Sequence, residues 1–296
     1  MKVLVTGGSG FVGREIVRQL LAAGHTPRVL ARGTRRSEAG IEIVRGSVLE
    51  PETLTAAVAG CDTVIHLVGI ISEIGPQSYE RVHTEGTRNA LAAAMAAGVS
   101  RWIQMSALGT RPDATARYHR SKWAAEEAVR ANGLAWTIFR PSLIYGPGDG
   151  FVNLFARMSR WSPVLPVMGA GQCLLQPVAV EDVARCFVAA LAQPSSVGRT
   201  YDLCGRERLS FNAVLDEILA ATGRRRPKLH LPMPIARLQA RLLEWVFPTL
   251  LRQAPPLNRD QLLMLAEDNV GDPEPAARDF GFEPVSFRAG IRAFLR

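Results

Sequence analysis

The first thirteen residues of the chain constrain its fold more than any other segment. An aliphatic run at residues 3–5 is typical of a buried strand, and Gly7, Gly10 and Gly13 follow it at three-residue spacing. We expect a sharp turn at Gly7, close approach of a diphosphate to bare backbone at Gly10, and tight packing of a helix on its strand at Gly13. The helix predicted at 14–23 then points its first N–H groups at an anion. The segment predicts a dinucleotide-binding turn with the contact residues Gly7, Ser9, Gly10, Phe11, Val12 and Gly13.

Apolar strands and helices alternate through the first half of the chain. Strands are predicted at 3–6, 28–31, 41–44, 63–68, 101–105 and 135–139, and helices at 14–23, about 51–60, about 79–97 and about 115–131. Strands that are apolar on both faces and separated by helices are typical of a parallel sheet covered on both sides. We therefore predict an α/β fold with a Rossmann-type, doubly wound parallel sheet.

The pattern changes after residues 140–141. The Gly/Pro/Asp-rich stretch 142–150 is predicted to be a loop at a strand end, where ligands bind in such sheets. We predict an NAD(P)-binding Rossmann domain at 1–150 and a smaller C-terminal lobe for substrate or partner at 151–296. The helix at about 180–191 is expected to return to the main sheet, whereas 195–296 is assigned to the smaller lobe.

Composition limits the class of protein and its partners. With 47% hydrophobic and 21% charged residues, the chain reads as soluble and globular, and its net charge of +8 favours anionic partners such as a phosphorylated cofactor, an acidic substrate or a lipid surface. The sequence contains no block of basic residues with interleaved aromatic residues, so we do not expect nucleic acid as a partner. The four cysteines lack metal-ligand spacing, so we expect reduced thiols, no metal and a cytoplasmic location. Neither a signal peptide nor a membrane span is expected.

Three residues form the candidate catalytic set. Ser106 follows the strand predicted at 101–105, and Tyr118 and Lys122 lie one turn apart on one face of the next helix. A phenol has an ordinary pKa near 10, and lowering it by about three units takes roughly 4 kcal/mol. The positive charges of the Lys122 ammonium and of an oxidised nicotinamide ring could supply this stabilisation of the phenolate. The Ser106 hydroxyl could hold a substrate oxygen. The alternative is that the YxxxK spacing marks only a solvated helix face.

The end of the second predicted strand bears on the choice of cofactor. Sites that prefer NAD(H) place an acidic residue there to hold the ribose hydroxyls. Here Ala31 takes that place and a basic run follows it, so a 2′-phosphate would meet arginines rather than a carboxylate. The sequence favours NADP(H) over NAD(H), with Arg32, Arg35 and Arg36 as candidate phosphate ligands, although a solvated basic loop that accepts either cofactor is the alternative. Further residues expected along the cofactor cleft are Ser47, Val48, Leu67, Val68, Gly69, Pro141, Leu143 and Ile144.

These motifs resemble the short-chain dehydrogenase/reductase superfamily. The likeness comprises TGxxGxxG at residues 6–13, the strand-end Ser106 and the YxxxK pair, and residues 140–147 and 178–183 resemble later landmarks of the extended, epimerase-like branch. Within that branch, segments 11–14, 82–87 and 106–109 are similar to an atypical group that includes bacterial homologues of the nucleotide-binding accessory subunit of respiratory complex I.

The resemblance implies roles and leaves several functions open. It implies Tyr118 as general acid/base, Lys122 as the residue that lowers its pKa and binds ribose, and Ser106 as the group that orients the substrate oxygen. We expect an NADP(H)-dependent oxidoreductase acting on a quinone, prenyl or lipid-like carbonyl or alcohol compound. One alternative is a non-catalytic NADPH-binding accessory or assembly protein of a respiratory or quinone-biosynthesis complex. A sugar-nucleotide epimerase or dehydratase ranks third, since His83 stands where those enzymes usually carry asparagine.

His83 and the segment 235–252 are left with two interpretations each. His83 is either a polar relay in the site or a hydrogen-bonded histidine near the cofactor. In the segment, Ile235, Leu238, Leu242, Trp245 and Val246 share one helix face, with Arg237 and Arg241 off it. It is either an interfacial helix that rests on acidic lipid or frames the substrate, which would place the protein peripherally at the inner face of a membrane, or an amphipathic helix packed on its own lobe. Pro248 is expected to end or kink it.

Overall fold

In a computed structural model, which describes residues 1–33, 39–251 and 253–295, strands and helices alternate as the sequence predicts. The strands are β1 (Lys2–Thr6), β2 (Thr26–Ala31), β3 (Glu42–Arg45), β4 (Thr63–His66), β5 (Arg101–Met105), β6 (Ala135–Pro141), β7 (Ile144–Tyr145), β8 (Leu165–Met168), β9 (Leu174–Leu175), β10 (Val178–Ala179), β11 (Arg199–Leu203), β12 (Leu209–Ser210) and β13 (Lys228–Leu231). The helices are α1 (Phe11–Ala22), α2 (Pro51–Val58), α3 (Gly86–Ala96), α4 (Arg117–Arg130), α5 (Val152–Trp161), α6 (Val180–Ala189), α7 (Phe211–Ala221), α8 (Met233–Val246), α9 (Arg259–Met264), α10 (Glu274–Phe280) and α11 (Phe287–Arg292).

Seven strands form one parallel sheet in the order β11-β6-β5-β4-β1-β2-β3. The chain runs outward from β1 to β3 on one side, then returns to β4 and runs outward on the other side. This reversal lies between β1 and β4, and in parallel sheets a ligand crevice opens at the carboxyl ends of the strands at such a point. The predicted Rossmann-type fold is confirmed.

Alternation along β1 explains the two helical layers. Val3 and Val5 face a core that includes side chains of α1 and α6, while Leu4 faces a core that includes side chains of α2, α3 and α4. All three are fully buried. Because both faces of the strand are covered by helices, its apolar run is continuous rather than alternating.

The smaller lobe is built from short strand pairs around its own core. β7 pairs with β10 and β8 with β13 in parallel, and β9 pairs with β12 in antiparallel fashion. Phe211 and Phe287 lie in this core, and the Ser210 hydroxyl accepts a hydrogen bond from the Ala213 amide to cap α7. No helix in the described ranges is both long and apolar enough to cross a membrane.

One segment lies elsewhere than expected. We assigned 195–296 to the smaller lobe, but Arg199–Leu203 pairs in parallel with β6 as the outermost strand of the main sheet. Tyr201 and Leu203 are buried there in the same core as α6. The single short strand carried no signal for which sheet it joins. The division at residue 150 stays a prediction, while α6 packs against α1, where the helix at 180–191 is expected.

Gly13 gives a test of how tightly α1 sits on β1. A Cβ atom at this position would lie 2.2 Å from the Gly7 carbonyl oxygen and 2.6 Å from the Gly8 Cα, both rigid backbone atoms. We expect Gly13→Ala to lower the free energy of unfolding by about 3 kcal/mol, measured by urea denaturation. Gly150→Ala is the control, since nothing lies within 4 Å of a Cβ there. Equal stability of the two variants would contradict this packing.

Candidate active site

Nearly all of the described site residues predicted from sequence lie at one edge of the sheet. They follow the carboxyl ends of β1, β2, β3, β4, β5 and β6, and because these strands are parallel, their carboxyl ends meet at the same edge. Tyr118, Lys122 and His83 reach this edge from α4 and from the helical segment before α3. Arg35 and Arg36 lie outside the described residues.

The turn between β1 and α1 has the geometry of an anion site. Gly7 has φ of 78°, which favours glycine, and a Cβ there would lie 3.1 Å from the carbonyl carbon of Leu67. The Gly10 amide donates to the Gly7 oxygen at 2.9 Å. Gly10 precedes α1 without a side-chain cap, and the first turn holds no acidic residue. The exposed helix start and bare backbone fit the diphosphate of a nicotinamide dinucleotide.

The adenosine end of the crevice is less constrained. Arg32 is exposed directly after β2, and Ala31 before it is buried. Ser47 is half-buried after β3, and the backbone oxygen of Val48 accepts a hydrogen bond from the Asn89 amide at 3.0 Å. The first two residues after β2, Arg32 and Gly33, carry no carboxylate.

Lys122 is a buried cation on the catalytic helix. Its side chain is 2% exposed, and its Nζ donates to the Met105 carbonyl oxygen at 3.3 Å. Burial lowers the pKa of Lys122 to about 8, although the negative charge of Glu126 opposes this shift. A Cβ on Gly69 would lie 3.0 Å from the Nζ, so a bare backbone is needed where the ammonium reaches the strand end.

Tyr118 departs from one expectation. Burial raises the pKa of its phenol to about 12, whereas we expected Lys122 together with an oxidised nicotinamide ring to lower it. The physical reason is that burial removes the phenolate from water, which disfavours the charged form. The phenol of Tyr118 is thus protonated at neutral pH.

Ser106 is held at the end of β5. It is 3% exposed, its amide donates to the Phe139 carbonyl oxygen at 2.7 Å, and its hydroxyl donates to the Thr110 hydroxyl at 3.4 Å. The loop that carries it is therefore fixed to β6. Lys122 binds the carbonyl oxygen of Met105, the residue directly before Ser106, so both side chains lie at the end of β5.

Both ring nitrogens of His83 are hydrogen-bonded. The Ile70 amide donates to Nε2 at 3.0 Å, so Nδ1 carries the proton and faces the Ser121 hydroxyl at 2.8 Å; that hydroxyl donates to the Tyr118 carbonyl oxygen at 2.7 Å. Burial and the charge of Lys122 lower the pKa of His83 to about 2. His83 lies in the π-helical segment Glu80–Glu85, a rare form that often marks functional sites. This geometry favours the hydrogen-bonded histidine over the relay, because neither nitrogen is free.

Two residues that hold Tyr118 were not found from the sequence. Tyr79 stacks on His83 with 5.6 Å between ring centroids and meets Tyr118 edge-on at 5.9 Å. Asp260 of α9 accepts the amide protons of Arg117 at 2.9 Å and Tyr118 at 2.8 Å, at the first turn of α4. Asp260 lies 142 residues from Tyr118, and no local pattern links the two positions.

Comparison with known proteins matches this site to one family. Residues 7–194 match the model of the NAD(P)H-binding family. The chain is 38% identical over 200 residues to the ceramide reductase of Caulobacter vibrioides, a match that covers 65% of this chain and 61% of that enzyme, less than two thirds of its length. It is 31% identical to the 2-alkyl-3-oxoalkanoate reductase of Stenotrophomonas maltophilia over 99% of this chain and 98% of that enzyme.

Two further matches concern a respiratory subunit and the fold. The chain is 33% identical to the mitochondrial NADH dehydrogenase [ubiquinone] 1 alpha subcomplex subunit 9 of Arabidopsis thaliana, over 90% of this chain and 70% of that subunit. Among solved structures, a dTDP-glucose 4,6-dehydratase double mutant from Streptomyces venezuelae with NAD bound aligns with a TM-score of 0.78, covering 100% of this chain and 96% of that one. At 22% identity this last likeness concerns the fold alone.

Three buried histidines near the site make stability depend on pH. Burial lowers the pKa of His66 to about 3, of His83 to about 2 and of His119 to about 4. The unfolded chain binds these protons below about pH 6.5 and the folded chain does not, so stability is complete above that pH and falls below it. We expect a loss of about 4 kcal/mol between pH 7.5 and 5.5, measured by urea unfolding. His83→Gln should remove about a third of this slope, and a pH-independent stability would contradict the assignment.

Proposed function

The chain belongs to the NAD(P)H-binding family, in the extended branch of the short-chain dehydrogenase/reductase superfamily, and we propose that it is an NADP(H)-dependent oxidoreductase for hydrophobic carbonyl or alcohol compounds. The observation that carries this proposal is that the buried Lys122 reaches the Met105 carbonyl oxygen, next to Ser106, at the sheet edge where the glycine turn opens. A buried ammonium is costly, and this one lies one helical turn after Tyr118 on α4.

Each residue has a role that its contacts support. A bound nicotinamide would supply or accept the hydride at the carbon of the substrate. Ser106 donates a hydrogen bond to the substrate oxygen, Tyr118 exchanges a proton with that oxygen, and Lys122 stabilises the phenolate that is left. With a pKa of about 12, the Tyr118 phenol is protonated at neutral pH, which is the form that delivers a proton to a carbonyl oxygen. We therefore propose reduction as the favoured direction.

The proposed substrate class rests on the names of two relatives, and the proposed cofactor rests on the residues at the end of β2. Two relatives are named as reductases of ceramide and of 2-alkyl-3-oxoalkanoate. Both names describe molecules with long apolar chains, which supports a lipid-like carbonyl substrate. For the cofactor, Ala31 and the exposed Arg32 support NADP(H), since no carboxylate would repel a 2′-phosphate from the end of β2.

Similarity to the plant complex I subunit favours a second candidate function. A non-catalytic NADPH-binding accessory or assembly protein would retain the glycine turn and the fold without using Tyr118. The catalytic set would then hold the cofactor only. The two functions differ in the effect of removing the Tyr118 hydroxyl: an enzyme would lose turnover, whereas an accessory protein would have no turnover to lose.

Tyr118→Phe separates the two functions. The turnover of NADPH with long-chain 3-oxo compounds or quinones should fall at least a hundredfold, because the proton donor is lost. Fluorescence titration should show that the variant binds NADPH with the same affinity as the unchanged protein. Both proteins should bind NADH more weakly than NADPH. Tyr145→Phe is the matched control, since the buried Tyr145 hydroxyl has no hydrogen-bond partner in the described chain. Full turnover in Tyr118→Phe would refute its role, and stoichiometric recovery in a respiratory complex would then support the accessory function.

We also propose that α8 rests on an anionic membrane surface. Ala236 and Ala240 face inward and are fully buried, while Ile235, Leu238, Leu242 and Trp245 are each more than half exposed. α8 thus packs on its own lobe through Ala236 and Ala240, against Leu262, while four of the five residues predicted on its apolar face are exposed. Arg237 and Arg241 flank the exposed stripe, and this combination of cations with large apolar side chains complements acidic lipid rather than water.

Vesicle binding tests this surface. Co-sedimentation with vesicles that contain phosphatidylglycerol should exceed that with pure phosphatidylcholine, and Leu238→Ser combined with Leu242→Ser should weaken it roughly tenfold or more. Met95→Ser is the control, because Met95 is an exposed apolar residue that lies on α3 instead of α8. Binding that is insensitive to the α8 changes, or equal on both vesicles, would sink the proposal.

A further inference from the structure

A cavity of about 670 Å³ lies beside the catalytic helix and away from the glycine turn. It is enclosed by the N-terminal end of α4 and by α8 and α9. Its charged lining comprises Glu73, Arg117, Arg120, Arg237, Glu244, Arg259 and Asp260. This volume lies within the range of sites that hold small organic molecules.

Every carboxylate of this lining already has a partner. Glu73 binds Arg117 through two hydrogen bonds of 2.9 and 3.1 Å. Glu244 accepts from both the amide and the Nε of Arg259 at 2.7 Å. Asp260 is occupied by the two amide protons at the start of α4. No acidic group is left to neutralise a further cation.

Two guanidinium groups of the lining have no carboxylate partner. Arg120 donates only to the carbonyl oxygens of Ala114 and Thr115, at 2.8 and 2.9 Å. Arg237 has no hydrogen bond or ion pair with any residue in the described ranges. Arg120 reaches the cavity from α4 and Arg237 from α8. Guanidinium groups that converge on one space match the oxygens of a carboxylate or phosphate.

The uncharged part of the lining is mostly apolar, although Thr115 and Asn258 also contribute to it. Tyr79, Pro248, Pro255 and Leu263 contribute to the walls. In addition, α8 supplies Arg237 to the cavity while its exposed stripe, defined above by Ile235, Leu238, Leu242 and Trp245, faces outward. An anion with no apolar part would use only half of this surface.

We propose that this cavity binds the anionic head group, a carboxylate or a phosphate, of an amphipathic molecule. Arg120 and Arg237 bind the head group, and the chain leaves along the prolines and Leu263. The inference goes beyond the proposed reaction, because it needs neither the cofactor nor turnover. It also has a structural link to the site, since Tyr79 packs on Tyr118 and Asp260 holds its amide.

Calorimetric titration of the full-length protein without NADPH tests the site. The probes are decanoate, decyl phosphate, decanol and inorganic phosphate. We expect one or both of the decyl anions to bind more tightly than decanol. Comparing the affinities of decanoate and decyl phosphate then identifies the head group. Arg237→Gln should weaken anion binding roughly tenfold, and Arg120→Gln with Arg237→Gln should weaken it further.

Arg241→Gln is the matched control. Arg241 lies one turn beyond Arg237 on α8 and is exposed, but it does not line the cavity, so its removal should leave the affinity unchanged. Three results would overturn the proposal: no binding of either decyl anion, equal binding of decanol or of inorganic phosphate, or an equal loss in Arg241→Gln. NADPH affinity, measured separately, reports on the proposed function and is independent of these outcomes.

Discussion

The arrangement of the site depends on a row of ionisable side chains along α4. Tyr118, Lys122, Glu126 and Arg130 follow one another at four-residue spacing, so they lie along one side of the helix. Glu126 is fully buried and accepts two hydrogen bonds from Arg140, at 2.8 and 2.6 Å, and one from Arg130 at 2.5 Å. Because a buried carboxylate is stable only when it is paired, this cluster fixes α4 against the end of β6. The same carboxylate favours the charged form of Lys122, so Glu126 both fixes α4 and stabilises the ammonium of the candidate catalytic set.

The opposite end of α4 depends on the smaller lobe. The residue before the helix is Ala116, which provides no side-chain cap, and Asp260 of α9 fills that role from the far end of the chain. A carboxylate at a helix start also interacts favourably with the helix dipole. Asn258 begins α9 with a capping box and donates to the Ile71 oxygen at 3.0 Å, which ties the same helix to the loop after β4. The C-terminal part of the chain therefore positions Tyr118 through Asp260.

These contacts separate what the sequence could predict from what it could not. Residues 101–105 form a strand with the predicted bounds, and the glycine turn lies between β1 and α1, because both follow from local periodicity and glycine geometry. The pairing of Asp260 with the Tyr118 amide joins segments whose sequences carry no mark of each other. The direction of the Tyr118 pKa depends on burial by Tyr79 and His83, which appears only once the chain is folded. The sequence thus predicted where the candidate set lies along the fold, but not the contacts of Tyr79 and Asp260 or the direction of the Tyr118 pKa.

That electrostatic state bears on how the site responds to a charged ligand. His66 and His83 are neutral at physiological pH, and the Tyr118 phenol is protonated, so Lys122 is the buried cation at the strand edge. With a pKa of about 8, Lys122 is close to the point where a small change in local potential alters its charge. A bound oxidised nicotinamide ring would carry a positive charge that favours phenolate and neutral lysine, whereas a reduced ring would carry none. The protonation of Tyr118 and Lys122 would then be coupled to the redox state of the cofactor, and the phenol would give up its proton most easily with the oxidised form bound.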